Sequence, residues 1–383
     1  QADLNWRNPK VREELKNVVR FWKEKGVKGF RFDVVNLISK PDKYENDCEG
    51  DGRRFYTDGM HVHEYLKELV KDTGIEDMIT VGEMSSTSLD NCIRYSNPEE
   101  KELSMCFNFH HLKVDYKNGN KWELMDTDRK ELKRLFEEWQ IGMQEHNGWN
   151  SLFWCNHDQP RIVSRMGNEK DYWKQSAKML AAAVHLMRGT PYIYQGEEIG
   201  MPNAHFKDIA DYRDVESLNY YEILLKEGKT KEEAIKTLQE RSRDNSRTPM
   251  QWSDEENAGF SDVTPWISVP DHYEEINVEN ELKDQDSIYY FYKKLIGLRK
   301  EKEVIQEGTI EFFEKEDDDL LAYERNYKEE HLVVLNNLTE RKKEVEIPQL
   351  WTSYHKLIGN YDTENIKENK VVLRPYETLV LEK

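Results

Sequence analysis

At 383 residues the chain is long enough for two domains and a full core, and its formal net charge of −19 at pH 7 argues against a nucleic-acid or membrane surface as its partner. Aromatic residues make up 11% of it, which suits a sugar-binding cleft and a packed core alike, and its four cysteines, Cys48, Cys92, Cys106 and Cys155, stand far apart with no Cys-x-x-Cys pair. That spacing speaks against a zinc site or redox motif, so no cofactor is expected; with no signal peptide and no long apolar segment, the expected location is the cytoplasm.

The chain opens on Gln1-Ala-Asp-Leu, in the middle of an architecture. Asn8 can cap a helix with Pro9 at its first position, and Val11, Leu15, Val18, Val19 and Trp22 give that helix an apolar stripe that ends at Gly26. The next run, 29–33, ends on Asp33 with Arg31 two residues before it. Residues two apart in a strand point the same way, so the guanidinium and the carboxylate are predicted to share a face. A helix leading straight into such a strand implies earlier strands, and the chain is therefore expected to be truncated at its N-terminus.

Strand-like runs are predicted at 29–33, 78–82, 103–109, 151–155 and 191–194, alternating with helices near 59–71, 128–146, 172–187 and 285–301. This is the pattern of parallel βαβ units. The run from Met78 ends on Glu83, and the run from Ser151 ends on His157 and Asp158. Three carboxylates at the C-terminal ends of three strands are what a (β/α)-barrel hydrolase needs, because its catalytic groups come from several strand ends. Between 203 and 284 lies a polar insertion with one predicted helix, Lys231–Gln239, and then the dense stretch Arg243-Asp-Asn-Ser-Arg-Thr-Pro-Met-Gln-Trp252. From about 304 short alternating runs begin at Ile310, Leu320, Leu332, Lys343, Val371 and Thr378, the signature of a small antiparallel β domain. The expected fold class is α/β: a partial (β/α)8 TIM barrel, strands 4–8, in residues 1–303, then a C-terminal antiparallel β domain in 304–383.

Two carboxylates suffice to cleave a glycosidic bond with retention, one attacking the anomeric carbon and the other protonating the leaving oxygen. Asp33 suits the nucleophile, since Arg31 favours its ionised form; Glu83, emerging from an apolar strand, suits the acid. Asp158 would stabilise the oxocarbenium-like transition state. Singly, each has an ordinary explanation: a helix cap, a structural salt bridge, a core histidine at 157. Their joint placement at strand ends, in barrel order, points to catalysis.

Gly29-Phe-Arg-Phe-Asp33, Val81-Gly-Glu83-Met84 and Asn156-His-Asp158-Gln-Pro-Arg161 resemble the second, third and fourth signature regions of the α-amylase superfamily, glycoside hydrolase family 13. The resemblance covers the whole chain, including Gly189-Thr-Pro-Tyr-Ile-Tyr-Gln-Gly-Glu-Glu-Ile-Gly-Met201 on the eighth strand and the Arg243–Trp252 stretch of the oligo-1,6-glucosidase subgroup. It implies that Asp33 is the nucleophile, Glu83 the acid/base and Asp158 the stabiliser, with Arg31, His157 and Arg247 on the glucose of the −1 subsite; Arg243 shares the stretch of Arg247. Glu197 and Glu198 read as structural. The family's first signature region, an Asp and an Asn-His pair, has no counterpart in the sequence, nor have its first three strands or the calcium-binding loop of some members. The −1 subsite is accordingly expected to be incomplete, and the chain by itself to show no hydrolysis.

Within the subgroup, Val81–Ser88, Asn91–Tyr95, Met105–Tyr116 and Phe153–Asp158 resemble trehalose-6-phosphate hydrolases more than oligo-1,6-glucosidases. The implied reaction converts trehalose 6-phosphate to glucose and glucose 6-phosphate, and the expected partner is this disaccharide phosphate alone, bound by a monomer. An oligo-1,6-glucosidase, or a sucrose isomerase or transglucosylase on the same scaffold, is the alternative. A phosphate needs cations, and Lys113, Lys117 and Lys121, with His110 and His111 before them, are the candidates.

Overall fold

The Asn8 side chain accepts the Lys10 N–H at 3.0 Å and Pro9 opens the first turn, so α1 (Pro9–Glu24) starts where its capping signal lies. The computed structural model describes residues 2–383. Its chain divides into two units, the first comprising Gln1–His111, Leu135–Leu152 and Arg188–Thr190, the second comprising Leu112–Arg134, Phe153–Met187 and Pro191–Lys383.

In the first unit β1 (Gly29–Phe32), β2 (Ile79–Glu83) and β3 (Met105–Phe107) form a parallel sheet in that order, with Gly29 opposite Ile79 and Val81 opposite Met105. A Cβ at Gly29 would lie 2.6 Å from the Ile79 carbonyl oxygen, so only glycine lets the two strands approach there. The connections are α2 (Val62–Thr73) and α3 (Leu89–Ser96). Val19 of α1, Leu69 and Val70 of α2 and Ile75 bury together against Phe30, Phe32 and Met78, which seats the helices on the sheet. α4 (Arg129–Glu145) precedes β4 (Ser151–Leu152). Cys106 bridges in parallel to Asn150 and the Thr190 N–H donates to the Asn150 carbonyl at 2.9 Å, so the strand succession continues past β3.

The second unit carries α5 (Ile162–Met166) and α6 (Trp173–His185), followed in sequence by β5 (Thr190–Pro191) and the insertion. The expectation of one helix in the insertion is corrected: it holds α7 (Val215–Lys226), α8 (Lys231–Arg241), α9 (Asp244–Arg247) and α10 (Val278–Lys283). α7 has a proper start, with Asp214 accepting the Ser217 N–H, but Val215 and Ile223 are exposed and only Ser217, Tyr221 and Leu224 are buried, too sparse a stripe to read as a period. α8 opens on a capping box between Thr230 and Glu233.

After α11 (Ile288–Glu301) and α12 (Glu303–Glu307), β6 (Thr309–Phe313), β7 (Leu320–Tyr327), β8 (Glu330–Asn337), β9 (Lys343–Glu346), β10 (His355–Gly359), β11 (Ile366–Lys367), β12 (Lys370–Leu373) and β13 (Thr378–Glu382) make two antiparallel sheets, in orders β10-β13-β8-β7-β6 and β11-β12-β9. Leu320, Ala322, Val333, Leu335, Val345, Val371, Leu379 and Leu381 form their shared core. The opposite face of β7 is also buried, the Tyr323 hydroxyl donating to the Ala183 carbonyl of α6 at 3.0 Å. No helix among the described residues is long and apolar enough to cross a membrane.

Candidate active site

In the first unit the chain leaves β1 through Asp33 and β2 through Glu83, two adjacent parallel strands whose C-terminal ends face the same way. Arg31 sits between the carboxylates. Its Nη1 donates to Asp33 Oδ1 at 3.0 Å and its Nη2 to Glu83 Oε2, so the two acids are set apart by the width of one guanidinium. The pairing expected from the two-residue spacing of Arg31 and Asp33 is present; that Arg31 also grips Glu83 is a cross-strand contact with no local signature. The Asp33 side chain is 75% exposed and that of Glu83 only 14%. The two carboxylates therefore sit in different surroundings, one open and one enclosed. His110 and His111 belong to this unit too, their rings tilted against Trp139 at 4.9 Å and Phe136 at 5.6 Å.

In the second unit His157 and Asp158 follow the buried Trp154, whose Nε1 donates to the Leu180 carbonyl at 2.7 Å. The Asp158 N–H donates to Asn156 Oδ1 at 2.8 Å, closing a tight turn that presents its carboxylate. Arg247 reaches it: Nη2 to Asp158 Oδ1 at 2.6 Å, Nε to the His157 carbonyl at 2.7 Å, and Nη1 to Asp214 Oδ1 at 3.1 Å. Arg243, which shares its stretch, stands at 3.6 Å from Asp158 Oδ1. Partial burial alone would raise the Asp158 carboxyl; Arg243, His157 and Arg247 outweigh it and hold the group below its ordinary value, hence ionised. The position of Arg247 is itself fixed, because the buried Arg161 donates to the Asn245 carbonyl at 3.3 Å and to that of Ser246 at 3.4 Å, while the Tyr194 hydroxyl donates to Ser246 at 2.8 Å.

Asp158 is also the end of a chain of charges. Lys121 Nζ lies 2.8 Å from Glu216 Oε2, and Arg243 Nε lies 2.8 Å from the same oxygen. Burial lowers the Lys121 ammonium against the pull of Glu216. Lys113 and Lys117 are exposed. Lys121, one of the three lysines singled out from the sequence, is thus linked through charges to Asp158. Asp214 and Glu216 escaped the sequence reading: they lie at the mouth of the unrecognised α7, and only its N-cap pattern could have drawn attention to them. Arg31, Asp33 and Glu83 thus lie together in the first unit, and His157, Asp158 and Arg247 in the second.

Residues 1–308 match the family model for the alpha amylase catalytic domain, and residues 320–380 that for the alpha-amylase SusG C-terminal domain. The chain is 51% identical over 386 residues to the trehalose-6-phosphate hydrolase of Bacillus subtilis (strain 168), covering 99% of this chain and 68% of that protein. To the oligo-1,6-glucosidase of Bacillus cereus it is 43% identical, covering 99% and 70%. The crystal structure of Bacillus licheniformis trehalose-6-phosphate hydrolase superposes with a TM-score of 0.96 at 53% identity, covering 100% of this chain and 70% of that one. The chain belongs to the alpha-amylase family of glycoside hydrolases.

Proposed function

We propose that this chain carries the catalytic carboxylates of a retaining α-glucosidase that hydrolyses trehalose 6-phosphate to glucose and glucose 6-phosphate. The observation that carries the reading is the Arg31 guanidinium holding the Asp33 and Glu83 carboxylates side by side at two strand ends. A retaining enzyme needs its pair about 5–5.5 Å apart. Asp33 attacks the anomeric carbon of the unphosphorylated glucose while Glu83 gives its proton to the bridging oxygen, which leaves as the hydroxyl of glucose 6-phosphate. Water then attacks the glucosyl ester and surrenders a proton to Glu83, and glucose departs with its α configuration kept. By the family resemblance, the ionised Asp158 is the stabiliser of the transition state's positive charge, and Arg31, His157 and Arg247 are sugar ligands. The openness of Asp33 leaves it reachable by substrate.

The phosphate reading rests on Lys121, whose ammonium joins the charge chain through Glu216 and Arg243 to Asp158, and on 51% identity to a protein that bears that activity in its name. In use the enzyme is a monomer acting on a soluble disaccharide phosphate. The test compares trehalose 6-phosphate, trehalose and isomaltose as substrates of the full-length enzyme and of its Lys121→Ala variant. Trehalose 6-phosphate should be the best substrate, and the variant should raise KM for it roughly tenfold or more, as loss of a charge-assisted contact does, with KM for trehalose unchanged. Faster cleavage of isomaltose would replace this reading with that of an oligo-1,6-glucosidase.

A further inference from the structure

Asn36 lies three residues after Asp33 and is wholly buried. Its amide pairs with the backbone of Ser85, two residues after Glu83: Nδ2 donates to the Ser85 carbonyl at 2.9 Å, and the Ser85 N–H donates to Oδ1 at 2.9 Å. A side-chain amide thus ties the two segments together beyond the ends of β1 and β2. The same Nδ2 donates to Asp58 Oδ1 at 3.1 Å, and the Asp58 N–H donates to the Asn36 carbonyl at 3.0 Å. The carboxylate of Asp58 collects three more donors, all from the segment that follows Glu83: the Tyr95 hydroxyl at 2.8 Å, the Thr87 hydroxyl at 2.9 Å and Asn91 Nδ2 at 3.0 Å.

The backbone is bent at each arm of this arrangement. Val34, between the nucleophile and Asn36, has φ +39°, Asp58 has φ +50°, and Ser86, next to Ser85, has φ +52°. A β-branched residue in the left-handed region is a true outlier, and such a conformation persists only where the surroundings over-determine it. Here the surroundings are the Asn36 amide and the Asp58 carboxylate.

We infer that Asn36 and Asp58 are positioning residues that clasp the loops after β1 and β2 and so set the distance between the nucleophile Asp33 and the acid/base Glu83. The inference rests on the glycosidase reading of that pair. Neither residue touches the sugar; each acts through the strand ends. Loosening the clasp harms the step that needs both carboxylates at once and spares a step that needs only the nucleophile.

The experiment compares Asn36→Ala and Asp58→Asn with the parent full-length enzyme on two substrates, trehalose 6-phosphate and an aryl α-glucoside whose activated leaving group departs without a proton. Expected for trehalose 6-phosphate is a kcat/KM roughly 10–100-fold lower, lost in kcat with KM little changed and with a displaced basic limb of the pH profile, against a loss of under roughly threefold in kcat/KM on the aryl glucoside, a constant that reports glucosyl transfer to Asp33 and not the later attack of water. The ratio of the two rates does not depend on how much of a preparation is folded, and the isosteric Asp58→Asn keeps the test open if Asn36→Ala folds poorly. Equal losses on both substrates, or none on either, overturn the clasp. A parent enzyme that cleaves neither α-glucoside overturns the functional reading instead, whereas an active parent with an unchanged ratio in the variants removes the clasp alone.

Discussion

Arg31 is shared by two acids, and what each does follows from where its own side chain ends. Glu83 is the enclosed member, and its proposed work is to move one proton. Glu83→Gln keeps the shape and removes that proton. With trehalose 6-phosphate, kcat should fall roughly 10²–10⁴-fold, the range of general acid catalysis. With an activated aryl glucoside the first step should survive, and a glucosyl ester on Asp33 should accumulate, because water then lacks its base; intact-protein mass spectrometry would detect it. Equal loss of both first steps would deny Glu83 the acid role. At this scale the acids were legible because a carboxylate ending an apolar run stands out against the residues before it. Asn36 and Asp58 were not: an amide that pairs with a backbone 49 residues away leaves no spacing in its own neighbourhood, and Asp58 before Gly59 reads as an ordinary turn.

Among elements, one buried junction of the second unit is made by charge. Asp115 is 2% exposed, yet its Oδ1 receives Arg165 Nη2 at 2.6 Å, its Oδ2 receives Arg165 Nε at 2.7 Å, and Arg241 Nη1 reaches the same Oδ2. Arg165 comes from α5 and Arg241 from the end of α8, and the ring of Tyr116 lies 5.4 Å and 5.7 Å from their guanidiniums. Burial pushes the Asp115 carboxyl up, and the two arginines overcome it, leaving the group below its ordinary value. Asp115→Asn would strand two buried guanidiniums beside a neutral amide. It should destabilise this unit by about 3–5 kcal/mol, the cost of breaking a buried pair from one side, read as a lower urea midpoint with the slope unchanged. Arg134→Ala, at the exposed pair with Glu131, should shift it by less than about 0.5 kcal/mol; a similar shift for both variants would show that the junction is no stronger than a surface pair. The helices of the parallel units could be read from period and caps. In the insertion only α8 could be read that way, because α7 buries few apolar residues and its neighbours are joined by ion pairs between residues far apart in the chain.

For the molecule as a whole, two buried groups that flank one tyrosine pull the pH dependence of stability in opposite directions. The Tyr292 hydroxyl donates to Glu197 Oε1 at 2.8 Å, and the His185 ring meets the Tyr292 ring edge-on at 5.2 Å. Burial, with Glu198 adding, pushes the Glu197 carboxyl up to about 7 against the pull of that hydrogen bond. Burial, helped by the charge of Arg299, pushes the His185 imidazole down to about 3. The signs are opposite. Folded Glu197 holds its proton where the unfolded chain has released it, so its contribution is full below pH 4.5 and is lost as pH rises to about 7, about 3 kcal/mol in all. Folded His185 refuses a proton that the unfolded chain takes up, so its contribution is full above pH 6.5 and is lost as pH falls toward 3, about 5 kcal/mol in all. Between 4.5 and 6.5 the two slopes cancel, and these groups leave stability flat there. Glu197→Gln preserves an acceptor for Tyr292 and cannot ionise. Urea unfolding of parent and variant at pH 5 and pH 8 should therefore show the variant gaining about 3 kcal/mol on the parent between the two conditions, whatever its absolute stability. A difference that stays constant from pH 5 to pH 8 would mean that Glu197 is already ionised in the folded chain, with water reaching its second oxygen.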